Sequence, residues 1–210
     1  MKIDIRSLSE DQIIEFFEKK GFDSYRGRQV YEWIWKKSSY SFDEMTNISK
    51  DLRDVLDNHF VINHTQVDKI QKSSDGTIKN AVKLHDDHTV ESVLIPTDDR
   101  TTACVSSQVG CSLDCRFCAT SKLKRMRNLN PDEIYDQVVT INKQSLKYFN
   151  RPLSNIVYMG MGEPLMNYNN LIKSIEKISS DKGLNMSQKR IVVSTSGIPK
   201  MIKKLADENL

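Results

Sequence analysis

Cys111-Ser-Leu-Asp-Cys115-Arg-Phe-Cys118 puts three thiols on one short stretch with the spacing C-x3-C-x2-C. The chain's other cysteine, Cys104, lies seven residues upstream. A disulfide framework would spread its cysteines along the sequence, whereas clustered thiols in a reducing compartment suit metal or redox work. A structural zinc site wants four ligands, usually as two separated pairs, so zinc would have to recruit Cys104 to complete its tetrahedron. An iron-sulfur electron carrier normally fills every iron position with cysteine. Three ligands on one loop therefore suit a 4Fe-4S cubane whose fourth iron is left to a substrate or cofactor.

Other residues carry chemistry in one reading and only structure in another. Gly160-Met161-Gly162-Glu163-Pro164 closes an apolar run, and Glu163 lies 45 residues past Cys118. Glycines there permit close backbone approach and a carboxylate can receive an ammonium group, although the same residues also make a plain tight turn. Ser194 offers a hydroxyl to a ligand or caps the next helix. Cys104 is a small strand residue or a redox thiol. Glu91, flanked by Val90 and Val93, reads from its neighbours as a solvent-facing residue on an edge strand; buried, its pKa would rise and suit a general base. The basic run Lys122-Leu-Lys-Arg-Met-Arg127 follows the cysteines directly. With Arg26, Arg28, Lys36 and Lys37 it could neutralise nucleic-acid phosphates, while Tyr31, Trp33 and Trp35 read as core.

Three kinds of element must position these groups. Ser9-Glu10-Asp11-Gln12 fits a capping box opening a helix with Ile13, Phe16 and Phe17, closed by Gly21. A second helix is predicted over 27–37, burying Val30, Trp33 and Ile34, and a third carries Ile48, Leu52, Val55 and Leu56. These make a helical domain over 1–62. Residues 63–98 read as a β-hairpin connection, with strands at 66–71, 78–84 and 89–95 and turns at 73–76 and 85–88. From 99 to 210 strand and helix alternate three times: strand 103–107 before the helix opened by Asn130-Pro131, strand 155–159 before a helix bearing Leu171, Ile172, Ile175 and Ile178, and strand 190–194 before helix 199–208. Successive strand-helix units imply an α/β fold with a parallel sheet. A closed barrel needs more strands, so this part is expected to be an incomplete barrel.

Composition sets the outer bounds. The chain has 210 residues, 38% hydrophobic and 28% charged, enough for a packed core without staples. Lysine and arginine exceed aspartate and glutamate by 31 − 28 = 3, which permits a polyanionic partner without arguing for one. No stretch has the length of apolar residues that a membrane span needs, and the start lacks a signal peptide's apolar core, so a cytoplasmic protein is expected.

The cysteine motif resembles the signature of the radical S-adenosylmethionine superfamily, C-x3-C-x-φ-C, with Phe117 at the aromatic position. Within that superfamily, Val90-Glu91-Ser-Val-Leu-Ile-Pro96, Thr102-Ala-Cys104 with Val-Ser-Ser-Gln-Val-Gly-Cys111, Met159-Gly-Met-Gly-Glu163-Pro164-Leu165 and Ser194-Thr-Ser-Gly197 resemble the RlmN-type adenine-C2 RNA methyltransferases. Tyr25-Arg-Gly-Arg-Gln-Val30 and Phe42-Asp-Glu-Met-Thr46 are similar to that family's N-terminal RNA-binding domain.

The resemblance implies a partial radical-enzyme (β/α) barrel made of its first three βα units. It also implies a 4Fe-4S cluster on Cys111, Cys115 and Cys118, and S-adenosyl-L-methionine held by Gly162, Glu163 and Ser194. Glu91 would accept the adenine C2 proton. Cys104 would free the product by forming a disulfide with a second cysteine that carries the methyl group. The implied partners are 23S ribosomal RNA, transfer RNA and a low-potential electron donor such as flavodoxin or ferredoxin, with no membrane. No fifth cysteine follows Cys118, so the chain is expected to be truncated before the methyl carrier. Adenine-C8 methyltransferases share the same motifs and remain an alternative, as does a zinc-binding RNA module without catalysis.

Overall fold

The computed structural model describes residues 2–208, which form two compact units. One is built from residues up to His64 together with Ser179–Asn185, the other from Thr65–Ile178 and the residues from Met186 onward.

In the first unit a short strand β1 (Ile3–Asp4) pairs in parallel with β2 (Phe60–Val61), around helices α1 (Glu10–Lys19), α2 (Ser24–Trp35) and α3 (Lys50–His59). The capping box of α1 forms as expected: Gln12 N–H donates to Ser9 Oγ at 3.2 Å and Ser9 N–H to Gln12 Oε1 at 2.8 Å. Helix α2 starts three residues earlier than the predicted 27. Gly27 lies inside it because a Cβ there would stand 2.7 Å from the Ile14 Cα, so its absence lets the two helices close together. Ile13, Phe17, Val30, Tyr31, Ile34, Trp35, Leu52 and Leu56 are the core. Trp33 is only half-buried, contrary to expectation: its Nε1 donates to Asn47 Oδ1 and Lys37 lies over its ring.

The second unit is a mixed sheet with helices. Strands β3 (Gln66–Lys72), β4 (Ile78–Lys83), β5 (Thr89–Pro96) and β6 (Thr101–Cys104) run antiparallel in sequence order. A detour through the short strands β7 (Gln108–Val109) and β8 (Arg127–Asn128) leads to α4 (Pro131–Phe149). Then β9 (Asn155–Tyr158), α5 (Tyr168–Ser179), β10 (Ile191–Val193) and α6 (Pro199–Ala206) follow. Strand order is β10-β9-β6-β5-β4-β3, with β6, β9 and β10 mutually parallel. The predicted hairpin connection is thus not a layer of its own. Leu94 of β5 pairs with Ala103 of β6, so the hairpin strands extend the same sheet that carries the strand-helix units.

Side chains explain these choices. Val90, Ser92 and Leu94 of β5 are buried while Thr89, Glu91 and Ile95 are exposed, the period of two that one covered face imposes. Helix α4 begins at Asn130-Pro131 with Glu133 closing a capping box, and ends at Asn150 in the left-handed region, φ 51°. It buries Ile134, Tyr135, Val138, Val139 and Ile141, and α5 buries Leu171, Ile172, Ile175 and Ile178. Strand β6 stops short of the predicted Ser107 because Ser106 N–H turns to Gln137 Oε1 and Ser107 N–H to the Met161 carbonyl. Among the described residues no helix is long and apolar enough to cross a membrane.

Candidate active site

Parallel strands gather their functional loops at their carboxyl ends. Here the loops leaving β6, β9 and β10 are joined by buried polar side chains. Ser106 is fully buried; its Oγ donates to the Glu91 carbonyl at 2.5 Å and accepts from Met161 N–H at 2.8 Å. Gln137 of α4 holds the Ser106 backbone from both sides. Gln108 accepts from Glu163 N–H at 2.9 Å and donates to Asn128 Oδ1 at 2.8 Å. The 160–163 turn can approach only because Gly160 and Gly162 carry no side chain. A Cβ on Gly160 would stand 2.7 Å from Ser106 Oγ, and one on Gly162, whose φ is +94°, 2.5 Å from Gln108 Cβ.

The cysteines occupy a long excursion from this base. Gln108 pairs with Asn128 and Val109 with Arg127, so β7 and β8 close the loop two residues before Cys111. Gly110, at φ +72°, lies against the Lys124 carbonyl, and Cys111 N–H donates to Leu123 O at 3.3 Å. Cys118 N–H donates to Cys115 O at 2.9 Å, making a turn of the last two thiols. All three cysteines are free and partly exposed, and Phe117 between them is 93% exposed. Among the described residues no three His, Cys, Asp or Glu side chains form a metal cage. The structure therefore brings the three thiols onto one loop without gathering their sulfurs at one point. By donor chemistry the set fits an iron-sulfur cluster: three free thiols on a segment anchored at both ends, with solvent access for loading.

Glu163 is buried at 4% exposure, and its carboxylate accepts from Leu165 N–H at 3.0 Å and Ser196 N–H at 2.8 Å. It thereby ties the end of β9 to the end of β10. A carboxylate has about four lone-pair sites, so acceptor capacity for an ammonium group remains. Ser194 is exposed at the end of β10. It is not the cap of α6, whose N-cap position is Ile198, and this removes the capping reading.

Cys104, the last residue of β6, pairs with Val93 and Val157 on its two sides. Burial pushes its thiol pKa up, against a smaller opposite effect of a hydrogen bond with the Met159 backbone. Glu91 faces solvent, as its neighbours suggested, but not on an edge strand: it lies on β5, an interior strand of the sheet, with its side chain 53% exposed and Lys79 Nζ 3.0 Å from its Oε1. The burial expected of a general base is absent because its position falls on the outward phase of the strand.

The basic run divides. Lys122, Lys124 and Arg125 are exposed, whereas Arg127 is turned inward onto Glu133 and Asp86. In the helical unit Arg26 stacks on Tyr25 and bonds Gln29 and the Asn47 carbonyl, while Arg28 and Lys36 are exposed. Sequence reading missed the buried roles of Ser106, Gln108 and Gln137, and took Arg127 only as part of a basic run. Ser106 and Gln108 lie where the chain leaves regular periodicity and Gln137 is a polar residue on a helix, so only their burial reveals them.

Comparison with known proteins places the chain in a class: residues 105–210 match the model of the radical SAM superfamily, and the chain belongs to that superfamily. Membership implies a 4Fe-4S cluster and S-adenosylmethionine as cofactors. Residues 3–62 match the ribosomal RNA large subunit methyltransferase N-terminal domain. The chain is 71% identical over 207 residues to a probable dual-specificity RNA methyltransferase RlmN of Christiangramia forsetii, covering 99% of this chain and 59% of that protein. It is 41% identical to the dual-specificity RNA methyltransferase RlmN of Desulfotalea psychrophila, again covering 99% of this chain and 59% of the relative. A solved radical SAM methyltransferase from Sphaerobacter thermophilus superposes with a TM-score of 0.88 at 35% identity, over 99% of this chain and 61% of that one. The chain thus spans about 60% of the length of the relatives it matches.

Proposed function

We propose that the chain is the N-terminal part of an RNA methyltransferase that modifies C2 of adenine in large-subunit ribosomal RNA and transfer RNA in the cytoplasm. In this reading β6 with α4, β9 with α5 and β10 with α6 are the first three units of a (β/α) barrel. Residues 1–62 are an RNA-binding accessory domain, 63–98 a connection and 99–210 the barrel core. The observation that carries the proposal is the single surface at the ends of the parallel strands, where Gln108 and Glu163 join the cysteine loop to the 160–163 and 194–197 loops.

Cys111, Cys115 and Cys118 would hold the cluster. Together with bound S-adenosylmethionine it supplies one-electron chemistry strong enough to break an unactivated C–H bond, fed by a flavodoxin- or ferredoxin-like donor. Glu163 and the open backbone at Gly162 would receive the amino-acid end of the cofactor, and the exposed Ser194 hydroxyl would bond to it. Glu91 would accept the adenine proton at its carboxylate, whose Oε1 lies 3.0 Å from Lys79 Nζ. Cys104, at the carboxyl end of β6, would supply the thiolate that forms a disulfide with the methyl-carrying cysteine as that cysteine's S–C bond to the modified base breaks.

The test uses the complete reading frame, reconstituted anaerobically with iron and sulfide. Cys104→Ala should retain iron and each of Cys111→Ala, Cys115→Ala and Cys118→Ala should lose it. Equal loss in all four would point to a four-thiol zinc-type site. Mass spectrometry of nucleosides from treated RNA should place the methyl on C2; a methyl on C8, or none, would overturn the substrate assignment.

A further inference from the structure

Arg127 was expected to belong to an RNA-facing basic run, and the structure withdraws it from that face. Its backbone pairs with Val109, so it stands where the cysteine loop ends, opposite the point where the loop begins. Its side chain is gripped on two sides. Nη1 and Nη2 donate to Glu133 Oε2 and Oε1 at 2.8 and 2.7 Å, a parallel fork, and Nε donates to Asp86 Oδ2 at 2.5 Å. Glu133 is 1% exposed and is itself fixed by its capping bond from Asn130 N–H at 2.8 Å, while His85 Nδ1 stands 3.3 Å from its Oε1. Asp86 sits in the turn between β4 and β5 and contacts His88 Nδ1 at 3.1 Å. One guanidinium therefore locks the loop exit to both the first turn of α4 and the β4–β5 turn.

We propose that Arg127 is a positioning residue for the cluster: through Glu133 and Asp86 it fixes the exit of the loop that carries Cys111, Cys115 and Cys118. This rests on the cluster assignment made above. The physical reason is mechanical. The loop's span between Val109 and Arg127 carries all three thiols on a two-residue ladder, supplemented by the Cys111 N–H bond to Leu123 O and the Gln108–Asn128 bond. A two-stranded pairing that short is marginal by itself. A bidentate arginine-carboxylate pair adds directional hydrogen bonds, with one partner already desolvated. Lysine offers a single point charge and cannot reproduce the fork while also reaching Asp86.

The experiment measures release of iron from the reconstituted complete protein to a ferrous chelator, alongside urea unfolding of the metal-free protein and limited proteolysis within 111–126. Supporting groups around metal sites are commonly worth about 10–100-fold in affinity. Arg127→Gln should therefore release iron at least about ten-fold faster and be cut sooner in the loop, with Arg127→Lys between it and the parent. Asp86→Asn removes only the more exposed arm, so it decides the matter should Arg127→Gln not fold. It should keep the parent far-UV circular dichroism and still release iron faster. Parent-like iron release in a folded Arg127→Gln or Asp86→Asn protein overturns the proposal. Release that follows only the loss of global stability, with Lys no better than Gln, also overturns it. Failure of the parent to bind iron would instead overturn the cluster assignment.

Discussion

Gly162 and Gly197 form a matched pair for asking whether the 160–163 turn is held by contact or only by backbone conformation. Both have left-handed φ angles, +94° and +99°. A Cβ at Gly162 would meet Gln108 Cβ at 2.5 Å, Cγ at 2.7 Å and the Gln108 backbone N at 2.8 Å, whereas one at Gly197 meets nothing within 4 Å. Alanine at Gly197 should then carry the conformational cost alone, about 1–2 kcal/mol. At Gly162 the same cost is joined by overpacking of about 1–3 kcal/mol, and backbone among the clashing atoms argues for the upper half of that range. Gly162→Ala should thus lose roughly 2–5 kcal/mol and exceed Gly197→Ala by about 1–3 kcal/mol. Both tryptophans lie in the helical unit, so their emission does not report on this region. Urea unfolding should be followed by far-UV circular dichroism and extrapolated linearly. Equal costs for the two substitutions would refute the packing argument, and with it the claim that Gln108 and the 160–163 turn form one rigid base.

Three further outcomes are expected. The hydrogen bond and charge of Arg127 hold the Asp86 carboxyl far below the usual carboxylate range. A depressed folded-state pKa gives stability that is present above the unfolded value of about 3.9 and lost as pH falls below it. The urea midpoint should accordingly drop between pH 5 and 2, less steeply in Asp86→Asn, and parallel profiles would contradict the pairing. Burial keeps Cys104 protonated, so its alkylation by iodoacetamide at pH 8.5 should be slow in the folded protein and accelerate in urea, read by peptide mass spectrometry. Ser9→Ala removes one half of the α1 capping box and should cost about 1 kcal/mol, seen as a lower tryptophan-detected midpoint.

Legibility in the sequence followed how far apart the determinants of each element lie. The α1 capping box, the Pro131 start of α4 and the alternation of β5 are local signals, and each element formed where its residues placed it. The three cysteines were legible as candidate ligands by type and spacing, but how their loop is held was not. The loop base depends on Arg127 meeting Glu133 and Asp86, residues from three separate elements that no local pattern links. The start of α2 was misplaced because Gly27 read as a boundary, when its role is close approach to Ile14. Glu91 could be put on a strand but not on a face of known cover, since the partner strand on each side was unknown until the sheet order was seen.

The sheet's mixed direction also governs the order in which it can assemble. Strands β3 to β6 are neighbours both in sequence and in space, joined by turns a few residues long, so their pairing closes only small loops. Thr102 must wait for Asn155, and Ile156 for Ile191, before the parallel half exists. Non-local pairings of that kind are slow to nucleate. The antiparallel meander therefore serves as the template on whose β6 edge the parallel half grows. Pulse-labelled exchange should protect the amides of β4 and β5 before those of β9, and the opposite order would show that the strand-helix half nucleates by itself. On this route the meander strand that carries Glu91 is in place before the loops at the ends of β9 and β10 have anything to close upon.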